Sequence, residues 1–404
     1  MTQLTERTPQ ANELIRIEDA LGAHNYKPLD VVIERARGPW VWDTGGRKYL
    51  DCLSAYSSVN QGHCHPRIVG ALTEQAQRVT ITSRAFRNDQ LAGLYQTLTR
   101  LLGYEAVIPM NTGAEAVETA IKLARKWAYE VRGIPHGQAE IIVMEGNFHG
   151  RTTTLVSFSS EAQYREPFAP LTPGFRRVPY GDVAAIEAAI TPNTAAVLFE
   201  PIQGEAGVIV PPEGFLRGVR EVCDRHGLLM VADEIQTGLG RTGRWLACDH
   251  EDVRPDMVIL GKALGGGVYP VSAVLSSREL MDLFQPGDHG STFGGNPLAA
   301  AVGQASLEVL EDEGLVQRAE ELGTYLQERL RALNSPLVRE IRGKGLLIGV
   351  ELHESARPYC ERLQALGVLC KETHVNTLRL APPLVITREE LDWALERLAG
   401  VLGS

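Results

Sequence analysis

Short, uninterrupted apolar runs alternate with helical patterns through the middle of the 404-residue chain. The segment 215–226 places its apolar residues on one helical face and is followed by Gly227, a typical helix stop. Repeated strand–helix units of this kind predict an α/β fold with a mostly parallel, doubly wound central sheet. Four of the apolar runs have the length of strands that are buried on both faces: 141–144, 195–199, 228–232 and 257–260.

The pattern changes after Pro297. Apolar residues spaced by three and four positions from Leu315 to Leu333 predict one long amphipathic helix. Strands are expected near 345–352 and 377–380, and a last helix from Arg388. We expect these elements, together with the first part of the chain, to form a smaller α+β domain. The predicted segments are an N-terminal part of the small domain, a large domain and a C-terminal part of the small domain: 1–53, 54–297 and 298–404.

Composition narrows the class of protein. A formal net charge of −10 argues against nucleic acid as a partner, since no basic excess is available for phosphates. None of the six cysteines stands in a CxxC pair, which favours a reducing compartment over a disulfide framework. The N-terminus lacks signal or transit character, and no apolar run approaches the roughly 20 residues that span a bilayer. These features predict a cytoplasmic protein of enzyme size with no membrane association.

Polar residues follow three of the predicted buried strands. Glu200, Asp233 and Lys262 are separated by 33 and 29 residues, about the length of one strand–helix unit. Ligands of open α/β sheets bind beyond the carboxyl ends of the strands, so we expect these three side chains to converge. Any one of them alone is better explained as a solvated loop residue, but three in succession favour a site.

A lysine at such a position is suited to Schiff-base chemistry, because desolvation disfavours its ammonium form. A nearby aspartate would keep the pyridine nitrogen of pyridoxal phosphate protonated. That cofactor also needs a phosphate site, and Thr112–Gly113 precedes a helical pattern whose N-terminus would attract an anion. Taken alone, Thr112 is more simply an ordinary helix N-cap.

Two short motifs favour other sites only superficially. Residues 238–243 match GxGxxG, but Asp233 and Glu234 end the strand first and no helical period follows, which argues against a dinucleotide site. His63 and His65 flank Cys64, yet no second ligand cluster follows at zinc-site spacing, so we expect no metal. The alternative hypothesis of a nicotinamide-dependent dehydrogenase is supported by this glycine loop alone.

Across nearly its whole length the chain resembles the class III, ornithine-type aminotransferases of fold type I. This family combines a large domain around a mostly parallel sheet with a smaller α+β domain made from both chain ends. The motifs that carry the resemblance are GAHNYKPL (22–29), SAYSSVNQGHCHP (54–66), MNTGAEAVETAIKLARKW (110–127), GNFHGRT (146–152), EPIQGEAG (200–207), ADEIQTGLGRTGR (232–244), LGKALGGG (260–267), GSTFGGNP (290–297) and LRLAPPL (378–384).

The resemblance implies pyridoxal 5′-phosphate as the cofactor and assigns its contacts. Lys262 would bond to it covalently and then carry a proton between the substrate carbon and C4′ of the cofactor. Asp233 would pair with the pyridinium nitrogen, and Gln236 would contact the phenolic oxygen. Phe148 would stack on one face of the ring and Ile235 would pack on the other.

The phosphate group would be held from two subunits. Gly113 and the neighbouring Thr112 would surround it within one chain. Thr292 would reach the phosphate of the partner subunit, which implies an obligate homodimer with shared active sites.

The resemblance also assigns the substrate contacts. Tyr26 and Arg151 would hold the α-carboxylate of ornithine, so that the distal δ-amine meets the cofactor. Tyr56 would line the substrate pocket. Arg379 would bind a carboxylate of the 2-oxo acid, and Glu205 would mask Arg379 while ornithine reacts.

The implied activity is L-ornithine:2-oxo-acid 5-aminotransferase, which transfers the δ-amino group to 2-oxoglutarate and yields glutamate 5-semialdehyde and glutamate. Related activities on N-acetylornithine, 4-aminobutyrate or lysine remain alternatives, as does a protein that has lost catalysis, although the complete residue set argues against the last. The physiological direction, arginine catabolism or proline biosynthesis, is left open. His149 stands where the animal enzymes have tryptophan, which leaves the edge of the pocket undetermined.

Overall fold

The computed structural model describes residues 8–403, and its strands form three sheets within that range. The strands are β1 (Ile33–Arg37), β2 (Trp40–Asp43), β3 (Lys48–Asp51), β4 (Ala106–Met110), β5 (Glu140–Met144), β6 (Phe175–Val178), β7 (Thr194–Phe199), β8 (Leu229–Asp233), β9 (Met257–Leu260), β10 (Ser272–Ser276), β11 (Val338–Lys344), β12 (Leu347–Leu352), β13 (Val368–Leu369), β14 (Lys371–Thr373) and β15 (Thr377–Leu380).

Helices surround these sheets. They are α1 (Pro9–Leu21), α2 (Ser54–Ser57), α3 (Pro66–Ala76), α4 (Leu91–Leu102), α5 (Gly113–Glu130), α6 (Thr153–Ser157), α7 (Ala162–Arg165), α8 (Val183–Ala188), α9 (Phe215–His226), α10 (Arg278–Met281), α11 (Pro297–Asp312), α12 (Leu315–Ala332), α13 (Arg357–Ala365) and α14 (Arg388–Leu402). Short 3₁₀ helices lie at Glu166–Phe168, Ala247–Glu251 and Lys262–Gly265. No helix among the described residues is long and apolar enough to cross a membrane.

The central sheet has the strand order β4-β10-β9-β8-β7-β5-β6. The five strands from β9 to β6 are parallel, whereas β10 runs antiparallel to both of its neighbours. Successive residues of β5 and β7 enter hydrophobic clusters on opposite faces, one containing α5 and the other α9. Burial on both faces explains why these strands are continuous apolar runs in the sequence. The expected α/β class is therefore confirmed.

Two four-stranded sheets use residues from the ends of the chain. One has the order β1-β2-β3-β13, in which β13 is parallel to β3. The other, β11-β12-β15-β14, is antiparallel throughout. The N-terminal strands thus share a sheet with a strand from the C-terminal third. The division of domains after residues 53 and 297 stays a prediction.

Most elements predicted from periodicity begin and end close to the expected residues. The helix expected at 215–226 is α9, which is followed by Gly227 in the left-handed conformation. The long helix expected from Leu315 is α12, and the last helix does begin at Arg388. The side chain of Thr387 accepts the N–H of Glu390 there, so a capping box fixes that start.

The glycine-rich loop 238–243 packs between the large sheet and the C-terminal elements. A Cβ at Gly345 would overlap the backbone of this loop, and a Cβ at Gly323 on α12 would overlap the backbone of Gly345. Arg241 is fully buried, and its guanidinium donates to the carbonyls of Leu346 and Pro382. The glycines therefore allow backbones to approach closely, which explains a GxGxxG match without a dinucleotide site.

Candidate active site

Three adjacent parallel strands, β7, β8 and β9, deliver Glu200, Asp233 and Lys262 to one edge of the sheet. The three side chains line a single cavity of about 170 Å³. The predicted convergence is therefore present. The other lining residues are Gly113, Ala114, Phe148, His149, Gly150, Ile202, Ile235, Gln236 and Thr237.

Lys262 directly follows Gly261 at the end of β9 and begins a 3₁₀ helix with a φ of 43°. A positive φ is costly for a lysine and is maintained here by the surrounding fold, as is common at functional sites. Burial lowers the pKa of the Lys262 ammonium, although the charges of Glu205 and Asp233 oppose this shift. The lysine amine is thus more readily available in its neutral, nucleophilic form.

Asp233 is 4% exposed and is held by two hydrogen bonds. Its Oδ2 lies 2.6 Å from Nδ1 of His149, and its Oδ1 accepts the N–H of Ile235 at 3.1 Å. Burial lowers the pKa of His149, but the hydrogen bond and the charge of Asp233 outweigh it, so the net pKa is raised. Nε2 of His149 is buried and has no hydrogen-bond partner among the described residues.

Glu200 is the second buried carboxyl group of the cavity. Its Oε2 accepts the N–H of Phe148 at 3.0 Å, which ties the loop carrying that ring to the end of β7. Burial raises the pKa of Glu200 to about 7, and the proximity of Asp233 adds to this effect. We infer that Glu200 is neutral more often than an exposed glutamate and that it fixes Phe148 rather than binding a cation.

The N-terminus of α5 forms another wall. Oγ1 of Thr112 accepts the N–H of Glu115 and the Glu115 carboxylate accepts the N–H of Thr112, so the hydroxyl serves as a helix cap. The N–H groups of Gly113 and Ala114 have no partner among the described residues and remain available to an anion. A Cβ at Gly113 would lie 2.9 Å from Cδ1 of Ile235, so a larger residue there would require the Ile235 side chain to shift.

Gly113 and Lys262 also line a second cavity of about 430 Å³ on the side of α2. Thr112 contributes to this second cavity and not to the first. Lys262 and the start of α5 therefore separate two spaces and are accessible from both. An anion at the helix start would lie between them.

A partly buried ion pair joins the opposite side of the site. Arg379, 1% exposed, donates from Nη1 to Oε1 of Glu205 at 2.5 Å. Gln236 donates to the same carboxylate oxygen at 3.2 Å. The amide of Gln236 lies so close to Gly204 that any Cβ there would overlap it. Burial raises the pKa of Glu205, but Arg379 more than offsets this and the net pKa is lowered, so both partners are charged.

Tyr56 lies over this pair, with its ring 4.6 Å from Cζ of Arg379. It belongs to α2, whose residues Ser54–Ser57 all have positive φ, so α2 is a left-handed turn of non-glycine residues. Such residues are disfavoured in this conformation by roughly 1–2 kcal/mol each. The buried hydroxyls of Ser54 and Ser57 also lack partners among the described residues. The turn is therefore maintained by its surroundings and presents Tyr56 to the site.

Six of the predicted site residues line neither cavity beside Lys262. Three of these, Tyr56, Glu205 and Arg379, form the group around the ion pair, and the other three are exposed. Arg151 and Thr292 are exposed, and Tyr26 is 69% exposed and lines a separate cavity of about 900 Å³ beside α1 and α13. Burial raises the pKa of Tyr56, and Tyr26 is close enough to add to that shift. Tyr26 therefore lies within electrostatic range of Tyr56.

Sequence reasoning did not assign roles to two residues that the structure brings into the cavity. Glu200 was recognised as a strand-end residue but not as the acceptor for the N–H of Phe148. His149 was noted only as a change at the pocket edge, whereas it contacts Asp233 directly. Both contacts join loop 146–152 to a polar residue at the end of an apolar strand. Analysing the loop together with the strand ends would have suggested them.

The suspected metal motif has another explanation. His63 bonds to Asp51 at 2.7 Å, whereas His65 bonds to Glu313 at 2.9 Å. The two imidazoles thus serve different carboxylates. Among residues 8–403, no group of three or more His, Cys, Asp or Glu side chains is arranged to hold a metal ion.

Comparison with known proteins agrees with this geometry. The chain is 60% identical to ornithine aminotransferase of Brevibacillus brevis over 393 residues, covering 97% of this chain and 98% of that protein. The crystal structure of ornithine aminotransferase from Toxoplasma gondii ME49 superposes with a TM-score of 0.96 at 45% identity, covering 99% and 96% of the two chains. The acetylornithine aminotransferase of Elizabethkingia anophelis is similar with a TM-score of 0.89 at 50% identity, covering 97% and 98%.

The family model for class III aminotransferases matches residues 21–402. This range includes every residue that lines the cavity around Lys262, and it includes the ion pair between Glu205 and Arg379. The chain belongs to the class III aminotransferase family.

Proposed function

We propose that the protein is an L-ornithine:2-oxo-acid 5-aminotransferase that uses pyridoxal 5′-phosphate and 2-oxoglutarate. The observation that carries this proposal is the ion pair of the buried Arg379 with the partly buried Glu205 beside the cavity of Lys262. The pair offers a carboxylate-binding guanidinium that is masked in the structure. The ornithine aminotransferases that are about 60% identical over nearly the full chain support the same substrate.

The residues around Lys262 fit the cofactor in their chemistry. A lysine of lowered pKa faces a buried carboxylate, and the free N–H groups at Gly113 and Ala114 suit a phosphate. Phe148 and Ile235 line the same cavity and offer flat apolar contact. A Cβ at Gly113 would narrow the space against Ile235. When bound, pyridoxal phosphate supplies an aldehyde for covalent attachment and a protonated ring that withdraws electrons.

Each residue then has a definite task. Lys262 would hold the cofactor through Nζ and would carry the proton that leaves the δ-carbon of the substrate. The Asp233 carboxylate, which His149 orients, would keep the ring nitrogen of the cofactor protonated. Gln236, which also contacts Glu205, is the proposed partner of the phenolic oxygen.

One site has to bind two substrates whose carboxylates lie at different distances from the reacting atom. Ornithine reacts at an amine far from its carboxylate, whereas 2-oxoglutarate has a carboxylate beside the reacting carbon. We assign the ornithine carboxylate to Arg151 and Tyr26 at the outer side, so Arg379 stays paired with Glu205 in that half-reaction. In the second half-reaction the 2-oxo acid displaces Glu205 and forms a bidentate pair with Arg379 over the ring of Tyr56.

One similar structure motivates the second candidate. The 50% identical acetylornithine aminotransferase of Elizabethkingia anophelis favours N-acetylornithine as an alternative substrate. The test is a panel of amines, each mixed with the holoenzyme, in which loss of the visible cofactor absorbance gives kcat/KM. We expect ornithine to exceed N-acetylornithine, 4-aminobutyrate and lysine. A clear preference for N-acetylornithine would overturn the proposal, while no reaction with any amine would argue for a protein without transaminase activity.

We also propose a homodimer with shared sites. Thr292 and the adjacent Phe293, which is 52% exposed, lie in the loop that follows α10. This loop is joined to the start of α5, because Asn111 donates to Oγ of Ser291 at 2.8 Å. The Thr292 hydroxyl lies outside the cavity of its own subunit, on a loop that is fixed next to the proposed phosphate site. It is therefore suited to contact the cofactor phosphate of the partner subunit. Sedimentation velocity should give a dimer, and Thr292→Ala should weaken cofactor retention without changing its visible spectrum.

A further inference from the structure

Arg151 is an exposed cation beside the cavity of Lys262. Its guanidinium forms no ion pair or hydrogen bond with any residue in the described range 8–403. Its nearest partners are aromatic rings. Cζ lies 4.5 Å from the ring centroid of Tyr164 and 5.8 Å from that of Phe148. The direction of the guanidinium is therefore set by rings and not by a carboxylate.

The backbone of Arg151 is fixed on both sides. Gly150 precedes it with a φ of 127°, and a Cβ there would lie 2.7 Å from Cδ1 of Leu155. Thr152 follows it as the N-cap of α6, and its hydroxyl donates to Glu118 at 2.5 Å. These contacts place Cα of Arg151 but leave its long side chain free to rotate. Without a further contact, binding a carboxylate would have to order that side chain.

Tyr164 supplies such a contact from a separate element. It lies on α7 and is half-buried, and its ring meets Phe148 edge-to-face with centroids 6.5 Å apart. The neighbouring Arg165 anchors this helix by donating to the carbonyl of Ser159 at 2.9 Å. The Tyr164 hydroxyl has no hydrogen-bond partner among the described residues. Tyr164 therefore contacts Arg151 through the face of its aromatic ring and not through its hydroxyl.

We propose that Tyr164 is a positioning residue that pre-orients Arg151 for the substrate carboxylate and so contributes to substrate specificity. This inference rests on the proposed function, in which Arg151 binds that carboxylate. The ring holds the guanidinium in one direction before substrate arrives, which removes part of the ordering cost from binding. Because Tyr164 acts through Arg151, its effect is confined to substrates that carry the carboxylate.

The first test compares two amines in the half-reaction of the holoenzyme. Ornithine carries the carboxylate, and putrescine is the same diamine without it. Tyr164→Leu keeps apolar volume and removes the aromatic face. We expect this variant to raise KM for ornithine about fivefold with little change in kcat, and to leave kcat/KM for putrescine unchanged. Tyr164→Phe retains the ring and should behave like the unmodified enzyme with both amines.

A double-mutant cycle tests the route through Arg151. In an Arg151→Ala background, Tyr164→Leu should have no further effect on ornithine, because the cation that it positions is absent. Equal losses for ornithine and putrescine, or full additivity of the two substitutions, would overturn the inference and indicate general damage to the site. A Tyr164→Phe variant as impaired as Tyr164→Leu would overturn it too.

Failure of the proposed function has a different signature. In that case the unmodified enzyme itself would prefer another amine, such as N-acetylornithine, over ornithine. The comparison is then repeated with that substrate and with N-acetylputrescine, which lacks the carboxylate. Selective loss with the carboxylate-bearing member of the pair would still support the role of Tyr164, and equal loss with both would refute it.

Discussion

Nδ1 of His149 lies 2.6 Å from Oδ2 of Asp233, and both side chains are buried at the end of β8. This hydrogen bond determines the direction of a carboxylate that otherwise contacts only the N–H of Ile235 within the described residues. The imidazole ring also closes one wall of the cavity. His149 therefore fixes the orientation of Asp233 without itself having to contact the substrate.

We expect His149→Phe, which keeps a ring but loses the donor, to lower kcat for ornithine about tenfold, because Asp233 can rotate away from the ring nitrogen. KM should change little. His149→Asn retains an N–H donor of similar reach and should recover much of the loss. Steady-state kinetics and the visible spectrum of the holoenzyme provide the readouts. Identical kcat values for the Phe variant and the unmodified enzyme would contradict this role.

Lys262→Ala should fold normally and lose the visible band of the covalently attached cofactor, because no other lysine lines either cavity beside Gly113. We expect transaminase activity to fall more than a thousandfold, as both the attachment point and the proton carrier are absent. Absorbance of the purified variant and circular dichroism would check the two halves of this expectation. A visible band in the variant that borohydride abolishes while fixing the cofactor to the protein covalently would show that a different lysine is used.

Glu205→Gln should change which amino acids react. Removing the carboxylate charge leaves the Arg379 guanidinium buried and uncompensated, so it becomes a stronger site for a carboxylate beside the reacting amine. We expect the ratio of kcat/KM for ornithine to that for glutamate to fall at least about tenfold. Glu313→Gln, which alters an exposed pair with His65, is the matched control. Equal effects of the two substitutions would argue against masking.

Glu234 offers a prediction on stability and pH. It is fully buried, accepts the N–H of Cys248 at 2.9 Å and the hydroxyl of Thr237, and burial raises its pKa to about 7. The folded state therefore binds this proton more tightly than the unfolded state. The contribution of Glu234 to the free energy of unfolding is complete below about pH 4.5 and is lost as pH rises through about 7.

Glu234→Gln should remove this pH dependence, because glutamine satisfies both contacts without charge. Above pH 7 the variant should be more stable than the unmodified protein by up to about 3 kcal/mol, and near pH 5 the advantage should be small. Denaturant midpoints at pH 5 and pH 8 test this, with the exposed Glu313→Gln as a control. An equal change at both pH values would exclude titration of Glu234 as the cause.

The sequence predicted the parallel strands and the convergence of Glu200, Asp233 and Lys262, because burial on both faces and strand-end polarity are local patterns. It did not predict that β10 runs antiparallel between β4 and β9, since an antiparallel central strand is as apolar as its parallel neighbours. Pairing of the two-residue β13 with β3 was also hidden, because so short a strand has no period of its own.

The backbone conformations that orient the side chains of the site were harder to predict from the sequence. Nothing in the composition of Ser54–Ser57 signals four successive positive φ values, since none of these residues is glycine. Only the tertiary environment enforces that turn. Tyr164 likewise lies on a four-residue helix with no periodicity, and its contact with Arg151 depends on how two loops meet. The roles of the individual site residues remain predictions for experiment.

The contact of Gly323, Gly345 and the loop 238–243 has a consequence for genetic screens. A single methyl group at either glycine would separate backbones that now touch, although neither glycine lines the cavity of Lys262. In a library of random variants, these positions should be as depleted as those that contact the cofactor. Variants at these glycines would be inactive because the loop 238–243 and the C-terminal elements no longer pack together. Selection for activity alone would therefore overestimate the number of residues in the catalytic site.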